Sequence, residues 1–210
     1  MRLRDRISPT LYELTTKGFE RGWGGAMRRK LLAGARGRVL EIGAGTGANL
    51  AHYPPELDEL VVTEPGAGMV RRVRERAAAA ARAVTVVQAS AEALPFEDAS
   101  FDTVVSTLVL CSVGDQAQAL GEIRRVLKPG GRLIFLEHVR SDDPGRARWQ
   151  DRLERPWKAI GDGCCPNRAT LAQIEASGFA VGEVERGDIP HTPPFLRPYV
   201  AGTAVRRAPA

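Results

Sequence analysis

The chain has 210 residues, 43% of them hydrophobic and 26% charged, which suits one sizeable core with a small additional element and leaves no room for a second large domain. No apolar run approaches the roughly 20 residues that cross a bilayer, and the opening "MRLRDRISPT" is basic without the apolar centre of a secretory signal, so no membrane span and a cytoplasmic location are expected. The net charge is +5, but 26 of the 30 basic residues are Arg and they are scattered instead of banded, which argues against a nucleic-acid partner. The Arg skew and the run "RAAAAARA" fit a GC-rich bacterial genome instead.

In chain order, residues 8–17 and 23–34 read as two short helices with Leu11, Leu14, Phe19, Trp23, Met27 and Leu31 as apolar positions. They form an N-terminal cap, residues 1–36, over the mouth of a site in the unit 37–210. From Gly37 onward short apolar strands alternate with helical segments: "RVLEI" (38–42), a helix from about Thr46, "ELVVT" (59–63), a helix over 66–81 and "AVTVVQ" (83–88). Next come "FDTVVSTL" (101–108), a helix over 115–127 and "RLIFLEHV" (132–139). Strict alternation with continuously apolar strands predicts a parallel sheet covered on both faces. In the 115–127 helix, Ala117, Ala119, Leu120, Ile123 and Val126 share one face. Pro129 with Gly130 and Gly131 supplies a sharp stop and turn. Two more helices, 146–157 and 169–177, precede "FAVGEVER" and "YVAGTAVR", which read as an antiparallel edge to the sheet.

The stretch "RVLEIGAGTGAN" (38–49) carries the first chemical signal. Glycines between a strand and a helix let the backbone approach a ligand and present amide donors to it. Read as G-x-G-x-x-A, residues 43–48 satisfy the dinucleotide fingerprint, and Glu64 lies near the distance expected of a ribose carboxylate; a nicotinamide-dependent oxidoreductase is therefore one reading. Against it, Glu41 stands two residues before Gly43, where a carboxylate repels a pyrophosphate and attracts an ammonium group. Gly47 extends the run to G-x-G-x-G, which leaves space for an amino-acid tail.

Taken together, "LEIGAGTGAN" (40–49), Glu64 in "VVTEP", "ASAEALPFEDASFDTVVS" (89–106) and "RRVLKPGGRLIFLEHV" (124–139) resemble the successive motifs of class I methyltransferases, in the order that family has them. The resemblance implies a Rossmann-like α/β fold with a mostly parallel seven-stranded sheet, and S-adenosylmethionine as cofactor. It implies that Glu41, Gly43, Gly45, Gly47 and Asn49 surround the methionine part and that Glu64 accepts from both ribose hydroxyls. Met69 and the backbone of Ser90, Ala91 and Glu92 would flank the adenine, and Thr107 and Leu108 would adjoin the reacting methyl. Many relatives carry Asp where Ser90 stands, so a weaker acceptor faces the adenine here. Further on, "TLVLCSV" (107–113), "LEHV" (136–139) and "ERPWKAIGDGCCPNRAT" (154–170) resemble the alkyl-thiol S-methyltransferases, which implies a small lipophilic acceptor, with a quinone-like or lipid molecule as the alternative.

His138, at the end of the fifth strand, is the candidate base, with a satisfied structural histidine as the competing reading. Asp162 in "GDGCC" either orients an acceptor or fixes the turn between Gly161 and Gly163. Cys111, Cys164 and Cys165 cannot all pair with one another and read as free thiols. Adjacent cysteines seldom ligate one ion together and Cys111 stands alone in sequence, so no metal is expected. Nothing in the sequence speaks to oligomeric state.

Overall fold

Val39 and Leu40 are neighbours on the first strand, β1 (Arg38–Ile42), and each is fully buried in a different hydrophobic cluster, one on either face of the sheet. Double-sided burial of this kind is what a continuously apolar strand requires. The computed structural model describes residues 9–207; the basic opening stretch and the first residue of the helix expected from residue 8 lie outside the described residues.

Six further strands complete one sheet: β2 (Glu59–Thr63), β3 (Thr85–Val87), β4 (Phe101–Thr107), β5 (Leu127–His138), β6 (Phe179–Asp188) and β7 (Pro198–Arg206). Their order is β3-β2-β1-β4-β5-β7-β6. The first five run parallel, and β7 lies antiparallel between β5 and β6, the mixed edge expected from the last two apolar segments. Strand order reverses between β1 and β4, and ligands of such sheets bind at the carboxyl ends of the strands beside that reversal.

Helices α1 (Pro9–Arg21) and α2 (Trp23–Leu32) precede the sheet, α3 (Ala67–Ala78) and α4 (Gln116–Val126) cross over it, and α5 (Pro144–Ile160) and α6 (Thr170–Ala176) follow β5. In α4 the side chains of Ala119, Leu120, Ile123 and Val126 are buried as the helical period predicts, while Ala117 faces outward. Asp115 caps that helix by accepting from the Gln118 amide at 3.0 Å. Helix α4 stops at Val126, three residues ahead of Pro129, and the chain passes directly into β5, whose first part is irregular, with Gly130 at φ +75°.

The helix expected from Thr46 does not form. Gly43, Gly45 and Gly47 all have positive φ, and the amides of Gly47, Leu50 and His52 bond the carbonyls of Ala44, Gly47 and Asn49. These three-residue steps give successive turns and a single 3-10 turn, Leu50–His52. Tyr53, which precedes Pro54, is extended (φ −71°, ψ 139°), as the residue before a proline should be.

The loop after β4 is fixed from below by the fully buried Glu137 of β5. Its carboxylate accepts from the Ser106 hydroxyl at 2.7 Å and from the amides of Val109 and Cys111 at 3.1 and 3.0 Å. Glu137→Ala strands three buried donors, and removing the partner of a buried charged hydrogen bond costs more than a neutral one. Urea unfolding of that variant should show a loss of about 3 kcal/mol; a change below about 0.5 kcal/mol, the range of an ordinary surface substitution, would remove Glu137 as the anchor of this loop.

Candidate active site

The glycine turn and the loop after β4 meet at the reversal of strand order. A Cβ on Gly43 would lie 2.7 Å from both methyl carbons of Val109, so the approach of the two loops requires glycine there in addition to the positive φ of 58°. Leu108 also takes a left-handed backbone, φ +60°, held by its amide bonding the Leu136 carbonyl at 2.7 Å. A non-glycine residue in that region stores about 1–3 kcal/mol of strain, and such residues concentrate at functional sites.

Between these loops and the N-terminal helices lies a cavity of about 660 Å3. Its floor is a buried polar network. Glu41 accepts from Asn49 Nδ2 at 3.0 Å and from the Tyr53 hydroxyl at 2.8 Å. Asn49 Oδ1 in turn accepts from Arg28 Nη1 at 2.8 Å, and the same nitrogen donates to Thr107 Oγ1 at 2.7 Å. Arg28 is 5% exposed and closes the chain with a two-pronged pair to Glu20, both bonds 2.9 Å, the strong planar form of this interaction. Burial pushes the Glu41 carboxyl up to about 7, against the pull of the Tyr53 hydroxyl and the Arg28 charge.

At the end of β2, Glu64 is buried and oriented by backbone amides, Gly45 N–H at 2.9 Å and Gly66 N–H at 2.8 Å. Met69 of α3 lines the same space. A second, adjoining cavity of about 320 Å3 is bounded by Ser90, Ala91 and Glu92 and shares Gly43, Val109 and Asp162 with the first. Ser90 Oγ donates to Glu92, whose other carboxylate oxygen accepts from the Gly114 amide at 2.7 Å. Burial raises the Glu92 carboxyl, but the hydrogen bonds from Ser90, Gly114 and Asp115 together hold it below the ordinary range.

The rest of the lining is mainly apolar, Tyr12, Thr15, Thr16, Ser112, His138 and Asp162 excepted. Leu11 of α1, Leu108, and Trp157 and Ile160 of α5 belong to it with Cys111 and Cys164. His138 stands among the last two: its Nδ1 is 3.6 Å from Cys164 Sγ and 3.9 Å from Cys111 Sγ, and the two sulfurs are 3.8 Å apart. The hydrogen bond to Cys164 and burial push the Cys111 thiol well above its ordinary value. Asp162 takes a left-handed backbone, φ +54°, next to Gly163 at φ +82°, and borders both cavities.

Of the residues singled out from the sequence, Glu41, Gly43, Gly45, Asn49, Glu64, Met69, Thr107, Leu108, His138 and Asp162 surround the larger cavity, and Ser90, Ala91 and Glu92 the smaller. Gly47 lines neither; a Cβ there would meet Leu50 and Val73 at 3.0 and 3.1 Å, so its part is in the turn. Linear spacing argued against a metal site, yet the fold assembles Cys111, His138 and Cys164 into a cluster of ligand type. Arg28, Glu20 and Tyr53 escaped the sequence reading. Arg28 is the first of three consecutive cations, followed by Arg29 and Lys30, and only its spacing of four from Gly24 and from Leu32, both buried on α2, marks it as inward-facing. Of the expected apolar positions of the cap, Met27 is buried but Leu14 is 64% exposed.

This donor set fits a ligand with a cationic amino-acid tail, a diol and a flat base. A buried acid at the end of β1 faces the glycine turn, a second acid at the end of β2 is aimed by amides, and among the described residues no cluster of basic side chains lines the cavity for a pyrophosphate. The comparisons agree with that chemistry. A family described as "Methyltransferase domain" matches residues 40–135. The chain is 38% identical over 183 residues to the human protein "Thiol S-methyltransferase TMT1B", covering 84% of this chain and 75% of that one. It is 34% identical over 201 residues to "Ubiquinone/menaquinone biosynthesis C-methyltransferase UbiE" of Syntrophotalea carbinolica, covering 84% of each. Among solved structures, an S-adenosylmethionine-dependent methyltransferase of Thermotoga maritima superposes with a TM-score of 0.69 at 20% identity, covering 97% of this chain and 100% of that one. With a seven-stranded sheet of this order and an acid at the end of each of its first two strands, the chain belongs to the class I S-adenosylmethionine-dependent methyltransferases.

Proposed function

We propose that the protein methylates a small lipophilic thiol on sulfur. The observation that carries this reading is the lining around His138: Leu11, Leu108, Trp157, Ile160 and two cysteines stand with that single histidine and Asp162, and a thiol, part-ionised near neutrality, needs less base catalysis than an alcohol or a carbon acid. The likeness to a protein named as a thiol S-methyltransferase supports the same acceptor.

When bound, S-adenosylmethionine supplies an electrophilic methyl group on a sulfonium. Glu64, its oxygens aimed by the amides of Gly45 and Gly66, accepts from the ribose hydroxyls. Ser90, Ala91, Glu92 and Met69 enclose the adenine, with the Ser90 hydroxyl committed to Glu92. Glu41, with Asn49 and Tyr53 fixing its carboxylate, attracts the ammonium group, and Arg28 faces the carboxylate of the same tail. Thr107 and Leu108 hold the donor's reacting end against the acceptor wall. A thiol of ordinary pKa, about 8.5, already supplies some thiolate near neutrality, and His138 is the group placed to take its proton. Displacement at the methyl carbon by a thiolate would cancel the sulfonium charge, which apolar surroundings favour; alignment of the reactants would supply the remainder. Asp162, bordering both cavities, positions the acceptor loop.

Methyl transfer to a panel of alkyl thiols, phenols, amines and quinols tests the acceptor. Turnover of alkyl thiols above the other classes is expected; turnover of a quinol or an amine with none of thiols rejects the reading, and the quinol outcome would favour carbon methylation of the kind named for the UbiE relative.

Two predictions concern the donor. Glu64→Ala should weaken S-adenosylhomocysteine binding by at least about 100-fold, the value of two hydrogen bonds to a carboxylate at about 1.5 kcal/mol each; unchanged affinity in calorimetry would refute the ribose role. Glu41 is held with a pKa of about 7, and a cationic donor tail favours its ionised form. Below that pH the donor must displace a proton, so S-adenosylmethionine affinity should fall about tenfold per pH unit between pH 7 and 5. Glu41→Gln should bind more weakly at pH 7 and lose this slope. A slope unaltered by the substitution would assign the titration elsewhere.

A further inference from the structure

Cys111, His138 and Cys164 come from three separate elements: the loop after β4, the last residue of β5 and the turn after α5. Their sulfur and nitrogen atoms form a nearly equilateral triangle, with edges of 3.8 Å between the sulfurs and 3.6 and 3.9 Å from each sulfur to His138 Nδ1. A tetrahedral zinc ion with Zn–S of about 2.3 Å and Zn–N of about 2.05 Å sets edges of about 3.8 Å between sulfurs and about 3.6 Å between sulfur and nitrogen. The triangle therefore has the size of one face of a zinc tetrahedron. Both Cys111 and Cys164 are buried, and all three residues line the larger cavity, so the fourth position is reached from the acceptor side.

The backbone holds these positions in place. The Cys165 amide bonds the Cys111 carbonyl at 2.8 Å, and Arg168 donates to the carbonyls of Leu110 and Val113, both at 2.7 Å. Glu137 fixes the Cys111 amide from the other side. Cys165 itself points elsewhere, its sulfur 3.6 Å from the Gly163 carbonyl.

We propose that Cys111, His138 and Cys164 bind a thiophilic divalent cation of the zinc class whose open fourth position takes the acceptor thiol as a thiolate. Two sulfurs and an imidazole select such an ion over magnesium or calcium, and two cysteines with one histidine leaving a position open is a catalytic ligand set. The inference rests on the thiol reading for the acceptor's identity, and not for the metal site. On binding, the two cysteines and the acceptor each release a proton to solvent. A lone pair of the acceptor sulfur then forms the new carbon–sulfur bond as the methyl–sulfonium bond breaks, its electron pair staying on the donor sulfur as a neutral thioether. The methylated product is also a neutral thioether, a weaker ligand than a thiolate, and leaves. His138 serves here as a ligand, and the cation takes over the task of keeping the acceptor ionised.

The test uses the full chain, reduced and stripped with a chelator, and titrated with Co2+ alone. One ion per chain should bind with a thiolate-to-cobalt charge-transfer band, displaced by Zn2+. Cys111→Ser and Cys164→Ser should lose the band while still binding S-adenosylhomocysteine, which shows that they fold; Cys165→Ser should keep it. An alkyl thiol should alter the ligand-field spectrum of the cobalt form, and stripping should lower thiol methylation at least tenfold, with recovery on adding Zn2+. Absence of the band, its persistence in both serine variants, or a Cys111–Cys164 disulfide forming with no cobalt bound under reducing conditions would overturn the site. Undiminished methylation of thiols by stripped protein would overturn the role of the metal and leave the thiol reading standing, whereas an intact cobalt site in a protein that methylates no thiol would sink the thiol reading alone.

Discussion

The charge of Arg28 is the constraint on which the site's geometry depends. A guanidinium that is 5% exposed has given up its hydration, and a buried charge left unpaired costs several kcal/mol. Every partner it takes therefore becomes a structural tie. Glu20 ties α1 to α2, Asn49 fixes the far end of the glycine turn, and Thr107 fixes the end of β4. Because Asn49 also donates to Glu41, the acid at the end of β1 is placed by the same charge. Gly24 and Gly25 allow the two helices to close in: a Cβ on the first would lie 2.4 Å from the Phe19 ring, and on the second 2.3 Å from the Glu20 carbonyl.

The cavity is lined both from within the stretch that matches the methyltransferase domain family and from outside it. Glu41, Glu64, the glycine turn, Leu108 and Cys111 fall inside the stretch 40–135 that matches the methyltransferase domain family, as do Ser90, Ala91 and Glu92 of the adjoining cavity. Leu11, Tyr12, Trp157, Ile160, His138 and Cys164 line the cavity from outside it. Elements shared across a family can serve a shared cofactor while the elements that flank them differ with the acceptor. One fold therefore serves relatives named for sulfur and for carbon methylation.

The strands were legible because buried parallel strands must be apolar throughout, and "RVLEI" and "ELVVT" coincide with β1 and β2 residue for residue. Glu41 and Glu64 stood out in the sequence because a carboxylate at the end of such a strand has no packing reason to be there, and both line the larger cavity. The helix expected from Thr46 failed because three positive-φ glycines and the anchored Asn49 side chain impose tight turns that periodicity does not record. Arg28 was hidden among neighbouring cations, since its burial depends on a carboxylate from α1 and two side chains far along the chain. The cysteine and histidine cluster was hidden for a different reason. Cys111 lies in the loop after β4 and His138 ends the adjacent strand β5, but the Cys164 turn joins them only through α5, a contact that spacing rules for metal ligands do not cover.

If Arg28 organises the donor site, its charge must matter to the cofactor and not only to folding. The most direct measurement is calorimetric titration of Arg28→Met with S-adenosylhomocysteine beside a thermal melt of the same protein. The account predicts at least tenfold weaker binding in a chain that still unfolds cooperatively, with Glu20→Gln falling between that variant and the unaltered protein. A folded Arg28→Met that binds within twofold of the unaltered chain would contradict it.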